Sequence, residues 1–225
     1  MTKLKLKSQI GLILLAIVFF SMTKFFIRPT EQKRSDYLPP PFAIKYLSVG
    51  MSYQFADSLW LRALQDFDYC EQKMNETECK SKSWLFQTLN LATEIDPLLE
   101  PSMYNAAGLA LTVIISDYAG ASVIFDKAMK QYPNDWNIAY TAAYHALYEE
   151  KNKTKAVRLY EKAAQNGAPA WVYSLAGRIA MDNGEDQYSK QILEGMIASN
   201  LDEKIIKRLR DKIAESEAQR KSLKK

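Results

Sequence analysis

Bond-making chemistry needs titratable side chains brought together, and this chain offers few candidates. Its single histidine, His145, lies between Tyr144 and Ala146 with no second imidazole to join it. A metal site or a catalytic triad would need companions, so His145 reads as an ordinary helix residue. Gly108, Gly120, Gly167, Gly177, Gly184 and Gly195 are isolated, and none builds a phosphate-cradling loop. The acid pairs Glu149-Glu150 and Asp202-Glu203 fall at helix ends, where solvated charge is the plain expectation. Cys70 and Cys79 are the only cysteines. Two thiols cannot complete a tetrahedral zinc site. They either close one disulfide that staples the segment between two helices, which requires an oxidising compartment, or stand as two free thiols. From this inventory the chain is expected to be no enzyme and to need no cofactor and no metal.

The remaining side chains suit a folded, helical protein. A 48% hydrophobic and 12% aromatic content excludes a chain disordered throughout. Ala, Leu, Lys, Glu and Gln outnumber β-branched residues, and no stretch alternates apolar and polar as a strand would. The net charge of +4 is unevenly spread. Residues 1–41 carry seven Lys/Arg against two Asp/Glu, residues 42–200 fourteen against nineteen, and residues 201–225 nine against five. The basic character belongs to the ends, which argues against nucleic-acid binding by the folded middle.

Five segments follow. Residues 1–9 form a basic flank with Lys3, Lys5 and Lys7. Residues 10–27 open with eleven residues lacking polar side chains, and the whole is just long enough to span a bilayer if Lys24 snorkels. Phe19, Phe20, Met22, Phe25 and Phe26 crowd any cleavage site, so an uncleaved anchor is favoured over a removable signal. Near-equal Lys/Arg numbers on its two sides leave the orientation open. Residues 28–41 are polar and end in Pro39-Pro40-Pro41, a stiff extended tether or, alternatively, a ligand for an aromatic groove. Residues 42–200 hold successive helical patterns: about Ile44–Gly50, Ser52–Tyr69, Ser83–Ile95, Ser102–Ile115, Ala119–Gln131, Trp136–Glu150, Thr154–Gln165, Ala170–Asn183 and Asp186–Ser199. Asn134 and Asp135 offer caps for the helix at Trp136, and Gly184 a helix stop. Residues 201–225 form a charged helix and tail whose Ile205, Ile206, Leu209, Ile213 and Ala214 share one stripe. Asn75-Glu76-Thr77 and Asn152-Lys153-Thr154 match the glycosylation acceptor pattern, a match common by chance.

Helix pairs recur at about 34 residues. Ala121, Phe125, Ala128 and Pro133 are followed 35 residues later by Ala156, Tyr160 and Ala163, then by Pro169 one place late. Leu85, Leu89, Ala92 and Pro97 form an earlier, weaker copy. Tyr104, Ala107, Gly108 and Leu111 supply small and apolar residues to the preceding helix, as do Ala139, Ala142, Ala143 and Ala146, and then Val172, Leu175, Ala176 and Ile179. Over about residues 52–200 this pattern resembles the tetratricopeptide repeat family. The insertion Gln72–Lys82 departs from it, and a fourth copy lacks the terminal proline. The resemblance implies an all-α, tetratricopeptide-like helix-turn-helix solenoid, here behind an N-terminal transmembrane helix. It further implies that Asn105, Leu109, Tyr140, Tyr144 and Tyr173 line a groove for a protein or peptide partner; the alternative is that they pack against the neighbouring repeat. Each pair is too small to bury its own apolar face, so residues 201–225 are expected to cap the last one, or else to form a coiled coil with a partner. The expected function is a membrane-anchored interaction scaffold of a bacterial envelope complex, with the repeats extracytoplasmic. The alternative is a receptor or assembly factor for translocating polypeptides, with the repeats in the cytosol.

Overall fold

The computed structural model describes residues 40–48, 50–65 and 83–223, with six positions of the N-terminal segment: Ile13, Leu15, Ala16, Val18, Phe19 and Met22. The chain divides into two units, Met1–Tyr37 and Leu38–Lys225. In the first unit the six described positions are helical and exposed. Among the described residues no helix is long and apolar enough to cross a membrane. The expected basic flank lies outside the described residues, as do most of the expected anchor, all of the tether before Pro40, and both Cys70 and Cys79.

The second unit is helical throughout its described regular structure. A short 3-10 turn, Phe42–Tyr46, stands where the sequence predicts a longer helix. Then come α1 (Ser52–Gln65), α2 (Trp84–Ile95) and α3 (Pro101–Leu109), which runs into a π-helical segment, Ala110–Ile114. After it follow α4 (Tyr118–Gln131), α5 (Trp136–Tyr148), α6 (Lys153–Gln165), α7 (Ala170–Asp182), α8 (Asp186–Ala198) and α9 (Glu203–Leu223). Each of α1 to α8 packs on a neighbour in sequence, and α3–α5 and α7–α9 also touch across the helix between them.

The helix starts follow from short polar caps. Ser83 Oγ accepts from Phe86 N at 2.9 Å, Asp117 Oδ1 from Gly120 N at 2.9 Å, Asp135 Oδ1 from Ile138 N at 3.0 Å, and Asn152 Oδ1 from Lys155 N at 3.0 Å. Each satisfies a backbone N–H that the first helical turn leaves open. The stops at α6 and α7 need a left-handed residue, and Gly167 (φ +100) and Gly184 (φ +81) provide it without a Cβ penalty. There Ala168 N donates to Ala163 O, and Glu185 N to Ala180 O.

Small residues set the helix crossings. A Cβ on Gly108 would fall 2.5 Å from Phe125 Cζ, so α3 and α4 approach only because that carbon is missing. One core cluster joins Ala139, Ala143 and Ala146 of α5 to Ala156, Tyr160 and Ala163 of α6, Ala176 and Ala180 of α7, Ile192 and Met196 of α8, and Ile206, Leu209 and Ile213 of α9. Thus α9 lies against α7 and α8, with Leu209 over Gly177. Ala214, expected on the same stripe, is exposed.

Polar contacts tie helices further apart in sequence. Lys127 on α4 donates to Asn90 Oδ1 on α2 at 2.7 Å and pairs with Glu94. Tyr132 Oη donates to the carbonyls of Leu98 and Leu99, at 2.9 and 2.8 Å. Thr154 Oγ1 donates to Glu185 Oε1 at 2.7 Å.

Candidate functional site

Helix α5 organises the two features that could act on something else. Its 3.6-residue period gives three faces. Ala139, Ala143 and Ala146 enter the core, His145 points towards α4 and the π segment, and Tyr144 and Tyr148 stay open.

The open face belongs to a strip across α3, α5 and α7. Thr141 Oγ1 donates to Asn105 Oδ1, and His145 Nδ1 meets Thr112 Oγ1 at 3.1 Å. These contacts join residues 36 and 33 apart, so α3 and α5 run parallel and in step. At those offsets Leu109 lies level with Tyr144 along the helix axes, and Val113 between His145 and Tyr148. Val113 is 72% exposed, Tyr144 46% and Tyr148 48%, and the two tyrosine rings lie 4.5 Å apart. On the other side Tyr140 meets Trp171 of α7 edge-on at 5.8 Å and Tyr160 of α6 at 5.5 Å. Trp171 is itself 46% exposed.

Of the residues expected to line a groove, Leu109 and Tyr144 are exposed, and Asn105 and Tyr140 are half-buried. Tyr173 is a correction. It is buried, and its hydroxyl would lie 2.8 Å from a Cβ on Gly195 of α8. Two positions along α7 reverse which side of the helix a residue faces, so Trp171 occupies the open face and Tyr173 the core. Val113, Tyr148 and Trp171 belong to the strip but escape the sequence reading. Tyr148, at i+4 from Tyr144, was accessible to the periodicity argument. Val113, at i+4 from Leu109, was equally accessible, and it lies in the π segment that continues α3.

The second feature is the surroundings of His145, which is buried. Thr112 Oγ1 donates to Gly108 O at 2.9 Å, so it accepts from His145 Nδ1–H. Nε2 is then left to accept, and Ser122 Oγ stands 3.0 Å from it. Ser122 Oγ is also 2.7 Å from Glu150 Oε1 and 2.9 Å from Tyr118 O. One hydroxyl hydrogen thus serves three acceptors. Glu150 Oε1 also accepts from Lys155 Nζ at 2.9 Å, and Lys155 lies 3.3 Å from Asp126. Burial holds the His145 pKa below its ordinary value, against the opposing pull of Glu150. Glu150 is pushed up by burial, but hydrogen bonds from Lys155 and Ser122 outweigh this and hold it low.

This arrangement can accept a proton along a defined route. If Nε2 is protonated it donates to Ser122 Oγ, whose hydrogen turns to Glu150. It differs from a serine-nucleophile site in that a hydroxyl, not a carboxylate, orients Nδ1. Taken from sequence as an ordinary helix residue, His145 instead joins the π segment, α4 and α5. No signal in the one-dimensional pattern shows this, because Thr112 and Ser122 lie 33 and 23 residues away.

Two clefts lie elsewhere. One of about 770 Å³ between α1 and α2 is lined by Pro40, Asp57, Arg62, Trp84 and others, and one of about 390 Å³ near the α6–α7 turn is closed partly by Tyr173. Among the described residues no group of three or more His, Cys, Asp or Glu is placed to hold a metal ion. Comparison with known proteins finds no match to any family model, curated protein or solved structure.

Proposed function

We propose that this chain is an interaction scaffold of the tetratricopeptide type, carried on a membrane by residues 10–27, which holds a protein partner on the face shared by α3, α5 and α7. The observation that carries this reading is the strip of Leu109, Val113, Tyr144, Tyr148 and Trp171. Five large apolar or aromatic side chains remain accessible there, on helices whose other faces are packed. Tyr and Trp suit recognition because a rigid ring gains contact area at small entropic cost. The repeated Ala-aromatic-Ala spacing and the Gly108–Phe125 approach support the family reading. The basic, apolar N-terminus supports an anchor, and Cys70 with Cys79 supports an extracytoplasmic domain.

The test is photo-crosslinking in the native cell from a benzoylphenylalanine placed at Tyr144 or Trp171, with Arg158 on α6 as the control position. A discrete adduct from the first two and none from Arg158 is expected. Equal labelling at all three sites would refute the assignment of the face. Trapping the thiols at lysis separates the envelope scaffold from a cytosolic translocation receptor. A Cys70–Cys79 bridge is expected for the former, and two free thiols would favour the latter.

A further inference from the structure

Charge is distributed in layers along the helices. The outer members carry it: Asp126, Lys127 and Lys130 on α4, Lys153, Lys155, Arg158, Glu161 and Lys162 on α6, and Asp186, Lys190 and Glu194 on α8. By contrast α3, the π segment and α5 contain no Asp, Glu, Lys or Arg, and the one titratable nitrogen base there, His145, is buried. On α7 only Arg178 and Asp182 are charged, at or beyond the second turn from Trp171. In a chain that is 25% charged, so long a neutral stretch on an accessible face sets the chemistry of whatever covers it.

From this neutral layer we infer that the partner segment is itself uncharged and rich in apolar and aromatic side chains, and that binding it is insensitive to salt. The inference rests on the proposed use of the α3–α5–α7 face. A charged segment laid on Leu109, Val113, Tyr144 and Trp171 would lose hydration there, with only Arg178 and Asp182, two or more turns along α7, to meet it. An apolar segment loses nothing of that kind and gains from every side chain it covers. The polar groups that are present suit main chain rather than ions. Asn105 Oδ1 accepts from Thr141, which leaves the Asn105 NH₂ hydrogens for a carbonyl. Asn137 and Thr141 lie on the same face as Tyr144 and Tyr148, at helical spacing. The size is limited too. Asn105 to Val113 rises about 12 Å at ~1.5 Å per residue. Crossing three helices at ~8–10 Å each adds about 20 Å. Such an area holds roughly six extended residues or about 13 helical ones.

The experiment selects random dodecamer peptides on the full chain in detergent micelles and measures selected peptides by fluorescence anisotropy. Selected sequences are expected to be enriched in Leu, Phe, Tyr and Trp and depleted of Asp, Glu, Lys and Arg. Their affinity should change less than about twofold between 50 and 500 mM salt. Tyr144→Ala and Trp171→Ala, both at exposed positions, should each weaken binding by about tenfold or more with unchanged circular dichroism. Tyr144→Glu should shift selection towards Lys- and Arg-bearing peptides. Selection of charged, salt-sensitive peptides that still need Tyr144 would overturn the neutral-partner inference and leave the face assigned. Peptides indifferent to Tyr144 and Trp171, or none selected, would overturn the face assignment itself. Concentration-dependent dimerisation blocked by Tyr144→Ala would make a second copy the occupant and overturn the inference.

Discussion

Replacing Gly108 by Ala should destabilise the helical unit, although Ala is the better helix former. A Cβ at this position meets three carbons of the Phe125 ring, at 2.5, 2.7 and 2.8 Å. Phe125 has no room to retreat, since it is 2% exposed and its ring centroid lies 5.3 Å from that of His145. Forcing a methyl into a filled core costs about 1–3 kcal/mol. The gain in helix propensity returns about 1 kcal/mol. The net loss is therefore up to about 2 kcal/mol, which for a unit of this size lowers Tm by roughly 4–8 °C. Urea and thermal denaturation followed by circular dichroism measure it. Phe125→Leu shortens the side chain opposite, so the double variant should show a favourable coupling of about 0.5–3 kcal/mol relative to the two single changes. Gly167→Ala is the contrast. Nothing lies within 4 Å of its Cβ, and its cost comes only from holding a non-glycine residue at φ +100. A Gly108→Ala protein as stable as the parent, with no coupling to Phe125→Leu, would refute the claim that this missing carbon sets the α3–α4 crossing.

Acid should weaken the fold in two steps. His145 has a folded pKa below its unfolded value, so the unfolded chain binds the extra proton first, and stability falls as pH drops below the unfolded value of about 6.5 towards the folded one. Glu150, held low in the fold, contributes stability present above about pH 4.5 and lost as pH falls further through its folded pKa. His145→Gln should abolish the first step in urea midpoints measured from pH 7.5 to 5 and keep the second, and an unchanged first step would exclude His145 as its source. Leu209→Ala removes a fully buried side chain from over Gly177 and should cost about 2–5 kcal/mol by urea denaturation, and a loss under 1 kcal/mol would mean that α9 contributes little to the stack. Tyr160→Phe should reduce the loss of stability above about pH 10, because burial raises the Tyr160 pKa and the unfolded chain deprotonates first, and an unchanged alkaline loss by the same assay would exclude Tyr160 as a source.

The helices and their ends are written locally, and there sequence reasoning reached them. Asp135 and Gly184 act through bonds to residues within one turn, so cap and stop were readable from residue type alone. The Ala-aromatic-Ala spacing likewise foreshadows Phe125 and Tyr160, because a ring buried beside small residues leaves a one-dimensional trace. What went unread is non-local. The π segment breaks the period of a helix whose composition gives no warning, as neither Gly nor Pro occurs between Ala110 and Ile114. Thr112 lies within it and meets His145 Nδ1 at 3.1 Å, and only the folded chain brings the two together. Tyr173 and Trp171 show a different limit. Both are aromatic residues of the first turn of α7, and only its packing on α8 decides which one is buried.

The three faces of α5 explain why its composition is so restricted. Towards α6 and α7 it must be small, since Ala139, Ala143 and Ala146 share space with Tyr160 and Ala176. Towards α4 it can carry a polar ring, because Thr112 and Ser122 stand within hydrogen-bond distance of the two nitrogens of His145. Charge on the third face would reach water, for Tyr144 and Tyr148 are half-exposed. Neighbouring helices with similar exposure, such as α6, take several charged residues there. Packing thus accounts for the alanines and hydrogen bonding for His145, but neither accounts for tyrosine at 144 and 148. That residual preference, on the most accessible face of α5, is the feature the proposed partner would explain.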